Sequence, residues 1–236
     1  MNNIIEKLHN ALQKIKSKLI QVNITISVTE KTVELTDKNQ ILAPLNLSFC
    51  DHKTQSLLVQ INSQQPLIKA MHICQTHSAS IVDLTAGFGR DSLILSTLNK
   101  PLISIEKNPI TATVLRILVA QYQTINPCNW QVISGCSLFW LQQQSSNFSH
   151  FYLDPFFHKR KNALPKNDMQ WLQKLGQIQT TDDNDKNVKD LFTTAYCHAT
   201  TRIVVKRPKN AAYLHNKKPN QGSIYQKTSR FDCYKP

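Results

Sequence analysis

The chain has 236 residues, 41% of them hydrophobic, and a formal net charge of +13, which suffices for one full α/β domain plus a small appendage. No apolar stretch approaches the ~18 residues of a membrane span. Lysines at Lys7, Lys14, Lys16 and Lys18 interrupt the N-terminus where a secretory signal would need an apolar core, so a soluble cytoplasmic protein is expected.

Ile4, Ile5, Leu8, Leu12, Ile15 and Leu19 recur at helical spacing, predicting one amphipathic helix over residues 3–19 that packs on the protein's own body. The period then switches to two: Ile24, Ile26 and Val28, a turn at Glu30-Lys31, then Val33 and Leu35 form a hairpin, joined by a third strand from Leu45 to Phe49. Residues 1–52 therefore read as an α+β appendage and 53–236 as the main domain. Asp51 to Gln65 is polar and aperiodic, and Pro66 opens a helix to about Cys74. Strands follow at Ile81–Leu84, Leu102–Ile105, Gln131–Ser134, Phe151–Leu153 and Arg202–Val205, separated by helical patterns. The clearest helix runs from Pro109 to Tyr122, with Asn108 as N-cap. Such alternation predicts a doubly wound, mostly parallel sheet with right-handed crossovers. Thr180 to Asp185 reads as a surface loop, and Ser223 to Tyr234 as a closing antiparallel hairpin.

Six cysteines occur without a C-x-x-C pair and read as reduced, mostly buried hydrophobes. Eight histidines occur without an H-E-x-x-H run, so no metal site is expected. Basic residues concentrate at 159–161, 206–209 and 217–218. That favours a nucleic-acid partner over a merely solvated surface.

Four stretches carry the chemistry. In Asp83-Leu84-Thr85-Ala86-Gly87-Phe88-Gly89-Arg90-Asp91 a strand ends in an acid, turns through two glycines and opens a helix. Gly87 and Gly89 let the backbone bend and let a ligand lie against it, although any tight strand–turn–helix could use two glycines. Ser92 stands where a dinucleotide fingerprint would place its third glycine. Glu106, 23 residues after Asp83 at the end of the second strand, suits both hydroxyls of a ribose; capping a helix would be its ordinary use. Ser134-Gly135-Cys136-Ser137 is a small polar turn after the third strand that could bond an adenine edge, a weak signal by itself. The fourth strand ends in Asp154-Pro155-Phe156-Phe157. An acid, a proline and an aromatic at this place resemble the Asp/Asn-Pro-Pro-aromatic signature of amino-group methyltransferases, and the resemblance implies that Asp154 accepts N–H bonds from an exocyclic amine whose lone pair is delocalised into its ring. Pro155 fixes the turn and Phe157 can stack on a base. His158, Lys159, Arg160 and Lys161 follow at once and, with Lys206 and Arg207, would hold RNA phosphates; otherwise they are a solvated surface.

The ordered set D-L-T-A-G-F-G-R-D, I-E-K-N-P, Y-L-D-P-F-F-H-K-R-K-N-A-L, R-I-V-V-K-R-P and R-F-D-C-Y resembles the ribosomal RNA small subunit methyltransferase J family, from about residue 24 to the C-terminus. The resemblance implies a class I S-adenosylmethionine (SAM) methyltransferase fold. It also implies transfer of a methyl group to the N2 amine of a guanine in bacterial 16S rRNA, alone or in the small subunit. Carried over by position, it implies SAM contacts from Arg90, Asp91, Glu106, Lys107, Cys136, Ser137 and Asp154, beside the Asp83, Gly87 and Gly89 turn. Lys107 stands where the family usually has arginine, and Cys136 where it has serine. The family's glycine- and arginine-rich loop reads here Asn62-Ser63-Gln64-Gln65-Pro66, and His158 replaces a usual proline. These departures keep open an alternative, an RNA-binding ribosome assembly factor on a catalytically decayed scaffold. A nicotinamide-dependent oxidoreductase is disfavoured by Ser92.

Overall fold

The computed structural model describes residues 2–73, 79–155, 166–177 and 184–236. Helix α1 (Asn2–Gln21) lies along one flank, with Ile15 buried and Leu12 and Leu19 half-buried against the core. Strands β1 (Ile24–Val28) and β2 (Val33–Asp37) pair antiparallel, Ile24 opposite Asp37 and Val28 opposite Val33. Thr29 Oγ1 closes their turn by accepting the amides of Lys31 and Thr32. Strand β3 (Leu45–Leu47) adds to β2. The buried face of this sheet (Ile24, Val33, Leu35, Leu45 and Leu47) shares one apolar cluster with the body of the molecule. Phe49 stacks on Trp130 with ring centroids 5.8 Å apart, and meets Tyr122 edge-on.

Where an aperiodic stretch is expected after Asp51, the chain forms α2 (His52–Val59). Asp51 caps it by accepting the Thr54 amide at 2.9 Å. None of its residues is buried, so there is no apolar stripe for periodicity to reveal. The next helix, α3 (Pro66–Met71), starts at Pro66 as expected but stops at His72 in the left-handed conformation, φ 48°. Its expected end, Cys74, lies outside the described residues.

The body alternates β4 (Ile81–Asp83), α4 (Arg90–Ser96), β5 (Leu102–Glu106), α5 (Pro109–Ile125), β6 (Trp130–Ser134), α6 (Ser137–Gln142) and β7 (Phe148–Leu153). It continues through α7 (Asn167–Gln177), α8 (Asn184–His198), β8 (Ala199–Pro208), β9 (Ser223–Tyr225) and β10 (Ser229–Tyr234). The seven strands lie in the order β6-β5-β4-β7-β8-β10-β9. The first five are parallel, and β10 runs antiparallel to both its neighbours. This is the expected doubly wound sheet with an antiparallel C-terminal strand, and the small three-stranded sheet is the expected appendage. One correction concerns the acidic loop: Asn184 and Asp185 already belong to α8, and 180–183 lie outside the described residues. Among the described residues, no helix is long and apolar enough to cross a membrane.

Strand order reverses at β4, with β5 on one side and β7 on the other. An open α/β sheet has its crevice at such a point, beyond the carboxyl ends of the strands. The residues at those ends are therefore the ones to inspect.

Candidate active site between the first and fourth strands of the large sheet

Two glycines shape the turn after β4. Both have positive φ, 55° at Gly87 and 79° at Gly89, a region costly for any residue carrying a Cβ. They differ in surroundings. A Cβ on Gly89 would lie 2.3 Å from Leu115 Cδ1 and 3.3 Å from Phe49, so close packing of α4 against α5 demands glycine there. A Cβ on Gly87 would lie in ordinary contact, 3.5 Å from Leu172 Cδ1 on α7.

Asp83 sits beneath the turn rather than in it. It is buried; Oδ1 accepts the Thr85 amide at 3.0 Å and Oδ2 the Ser92 hydroxyl at 2.5 Å. Behind Ser92 stands a chain of donors: Trp130 Nε1 donates to Ser104 Oγ, and Ser104 to Ser92. Ser92 gives its one hydroxyl proton to the carboxylate and so must accept from Ser104, and the chain of donors that starts at the indole ends on the carboxyl. Burial pushes the Asp83 pKa up to about 7 against these donors, with help from Asp91 and Asp154.

Glu106 closes the same turn from β5. Its Oε2 accepts the Gly87 amide at 2.9 Å and its Oε1 the Asn108 amide at 2.8 Å. Burial raises its pKa from the ordinary glutamate value despite these bonds. Each oxygen retains a second acceptor direction for a further hydroxyl donor. Lys107, next along, is exposed. At the third strand tip Ser137 is buried, its hydroxyl donating to Leu84 O at 2.6 Å, whereas Cys136 is an exposed N-cap of α6.

The fourth strand tip joins the first directly. Leu84 N donates to Tyr152 O, and the Asp154 amide donates to Thr85 Oγ1 at 2.6 Å. The two tips thus face one crevice. Across it, Lys206 Nζ on β8 lies 2.8 Å from both Asp91 Oδ2 and Asp154 Oδ2, and the Tyr152 hydroxyl also donates to Asp91 Oδ2. Burial raises the Asp154 pKa to about 6, Asp91 adding to it and Lys206 opposing it. Oδ1 of Asp154 carries no hydrogen bond among the described residues. Pro155 is buried; Phe157 and His158 through Lys161 lie outside the described residues.

The remaining wall is α7. Trp171 Nε1 donates to Ala43 O, Asn167 Nδ2 to Pro44 O, and Lys174 pairs with the buried Asp37 at 2.6 Å. On the other side Asn108 Nδ2 donates to Leu175 O, and Arg90 pairs with Asp168 at 3.2 Å. The helix is therefore held from the appendage and lies over the glycine turn.

A family model described as "Putative SAM-dependent methyltransferase" matches residues 10–236. The chain belongs to this family of SAM-dependent methyltransferases. Curated relatives agree. The methyltransferase is 35% identical over 178 residues to "Ribosomal RNA small subunit methyltransferase J" of Desulfotalea psychrophila, covering 73% of this chain and 66% of that one. It is 36% identical over 177 residues to the protein of the same name from Pseudoalteromonas translucida, covering 72% and 68%. The match thus spans about two thirds of each relative's length. Among solved structures, a SAM-dependent methyltransferase from Neisseria gonorrhoeae superposes with a TM-score of 0.62 at 22% identity, over 87% of this chain and 79% of that one. A Thermus thermophilus 16S rRNA N2 guanine methyltransferase, solved with AdoMet and guanosine, gives 0.50 at 12% identity, over 82% and 47%. At these identities the two structures bear on the fold alone.

Within the methyltransferase, three features were not singled out by the sequence reading: Thr85, which joins the strand tips; the Tyr152 hydroxyl; and the whole of α7. Lys206, expected with Arg207 on an RNA-facing run, points into the crevice instead. Arg207 lies on the opposite face and donates to Ala212 O at 2.8 Å. Strand alternation carries the signal for this, since neighbours on β8 must face opposite sides. Among the described residues, no three His, Cys, Asp or Glu side chains gather as a metal site would require.

Proposed function

We propose that this methyltransferase transfers a methyl group to the exocyclic N2 amine of a guanine in bacterial 16S rRNA. The observation that carries the reading is the Asp154–Thr85 bond, which sets beside the glycine turn a carboxylate with one oxygen that bonds none of the described residues. The names of the curated relatives support the small-subunit rRNA as substrate, and the net charge of +13 suits a polyanion. A bacterial cytoplasmic enzyme is the corresponding location.

The crevice fits SAM by the chemistry of its groups. Glu106, Asp91 and Asp154 line it, which suits ribose hydroxyls and a cationic sulfonium and ammonium, and would repel a pyrophosphate. Arg90, Asp91, Glu106, Lys107, Cys136, Ser137 and Asp154 are the residues assigned to hold it, around Gly87 and Gly89, with Asp83 fixing the turn from below. When bound, SAM supplies an electrophilic methyl group. Asp154 Oδ1 accepts an N–H of the guanine amine and orients its nitrogen, a task for the ionised carboxylate. Pro155 fixes the backbone that presents it, and Phe157 stacks on the base. His158, Lys159, Arg160 and Lys161 hold neighbouring phosphates, contacts that fix register rather than sequence.

One observation favours a second reading, an RNA-binding assembly factor that transfers nothing: Leu172 already packs over Gly87. Calorimetry with SAM bears on the choice, since micromolar or tighter binding argues against decay. For the transfer itself, purified protein with labelled SAM should label 16S rRNA from a strain lacking the modification, as free RNA or in small subunits. Asp154→Ala should fold normally and lose at least ~100-fold in turnover. An unlabelled rRNA in both forms, or full turnover by Asp154→Ala, would overturn the assignment.

A further inference from the structure

We propose that Lys206 is a positioning residue for the transfer: its ammonium occupies Asp154 Oδ2, so that only Oδ1 is left to grip the acceptor amine, and it keeps that carboxylate charged. The inference rests on the reading of Asp154 above and deepens it. It starts from geometry. Lys206 is three-quarters shielded and reaches two carboxylates from two different elements at the same distance, 2.8 Å. A lysine on a solvated basic face would do neither.

The surroundings explain why the crevice needs a cation there. Facing Asp154 are Asp83 at the tip of β4, Asp91 at the start of α4 and Tyr152 on β7; Lys206 on β8 supplies the positive charge of the group. Two carboxylates converging on one point would not both stay ionised without it. Burial alone would lower the lysine's own affinity for its proton, but Asp154 and Asp91 outweigh burial and raise it. The lysine is thus a fixed charge rather than a proton donor. Its partner on Asp91 is in turn held by the Tyr152 hydroxyl, so the fork has both carboxylates in defined rotamers.

A residue acting in this way leaves a signature that a simple packing role does not. Removing the charge makes Asp154 harder to ionise, and the acid limb of the kcat–pH profile moves up by about 1–3 pH units, the range for an opposite charge in direct contact. KM for SAM stays the same or falls, because the site loses a competing cation. The experiment measures methyl transfer to the small-subunit rRNA between pH 5.5 and 9 for wild type, Lys206→Met, Lys206→Gln and Lys206→Arg. The Met and Gln variants are expected to lose about 3-fold or more at pH 6.5 and to recover toward pH 9, with Arg retaining the wild-type limb. An unmoved limb in a folded Met or Gln variant overturns the proposal, as does a fall in turnover that is equal at every pH. If neither neutral variant folds, the Arg variant and ¹³C-aspartate NMR of the wild type decide. A wild-type Asp154 carboxyl that stays protonated across the pH range in which the enzyme turns over refutes the claim that Lys206 keeps it charged. Failure of the substrate reading looks different: wild type then labels no rRNA at any pH, whereas the Lys206 proposal fails with wild type active.

Discussion

Gly87 and Gly89 share the left-handed conformation but differ in surroundings, and that difference sets the cost of placing alanine at each. The left-handed region itself costs a non-glycine residue ~1–2 kcal/mol. At Gly87 little is added, because Leu172 lies 3.5 Å from the new carbon. At Gly89 the carbon would fall 2.3 Å from Leu115 Cδ1, with Phe49 3.3 Å away on another side. Leu115 is fully buried in the middle of α5 and Phe49 is wedged against Trp130 and Tyr122, so neither can swing clear. Forcing a carbon into such a site costs a further ~1–3 kcal/mol. Gly89→Ala should therefore be less stable than Gly87→Ala by ~1–3 kcal/mol, with each kcal/mol worth ~2–4 °C in Tm for a chain of this size. Urea unfolding followed by circular dichroism, without SAM, measures both. Equal stabilities, or the reverse order, would refute the claim that Gly89 is dictated by the α4–α5 contact.

Two further outcomes follow from buried charge. Asp37 is buried with its carboxylate on Lys174 and on the amides of Asn39, Ile41 and Leu42; burial works to raise its pKa, but Lys174 and these amides outweigh it. Its contribution to stability is present above its unfolded value and lost as pH falls through the lowered one. Lys174→Met should cost ~3 kcal/mol or more at neutral pH by stranding that charge, and adding Asp37→Asn should recover part of it in the same denaturation assay. His150 is buried at the other end of the sheet with neither ring nitrogen bonded to any described residue; burial, then Arg202 and His72, push its pKa down to about 4. The unfolded chain takes up this proton near the usual value and the native protein does not until about pH 4, so stability declines as pH falls through that window. Replacing it by leucine should reduce the loss of stability between pH 7 and pH 4 by ~3 kcal/mol relative to wild type; an unchanged pH dependence would show that His150 is not buried neutral.

Much of the fold was legible because the signals were local. Asn108-Pro109 announces α5 by cap chemistry, and the Asn108 side chain does accept from Ile110 and Thr111. The glycines, Glu106 and Asp154 could be placed at strand tips because each follows a short apolar run. What stayed hidden was set by distant partners or by direction. No apolar stripe marks α2, which buries no residue. The ionisable groups could be named, but not aimed: Lys206 and Arg207 are adjacent in sequence, yet one enters the crevice and the other binds a carbonyl on the far face. Asp83, an obvious candidate for a ligand-facing acid, turns out to receive a buried donor chain that begins at Trp130.

Helix α7 shows most plainly why such features escape a reading of the chain in order. Its spacing of Trp171, Leu172 and Leu175 describes a short amphipathic helix and no more. Its position comes from contacts with Ala43, Pro44 and Asp37, residues more than a hundred places earlier. Those contacts belong to the appendage; the neighbouring face of the same helix meets Gly87, Arg90 and Asn108. The small sheet and the glycine turn are consequently joined through one helix, and the apolar cluster beneath them is continuous from Ile24 to Trp130. A change at Asp37 should then be felt at Gly87 through α7, although the two residues share no contact. The appendage is best understood as the support that fixes one wall of the crevice.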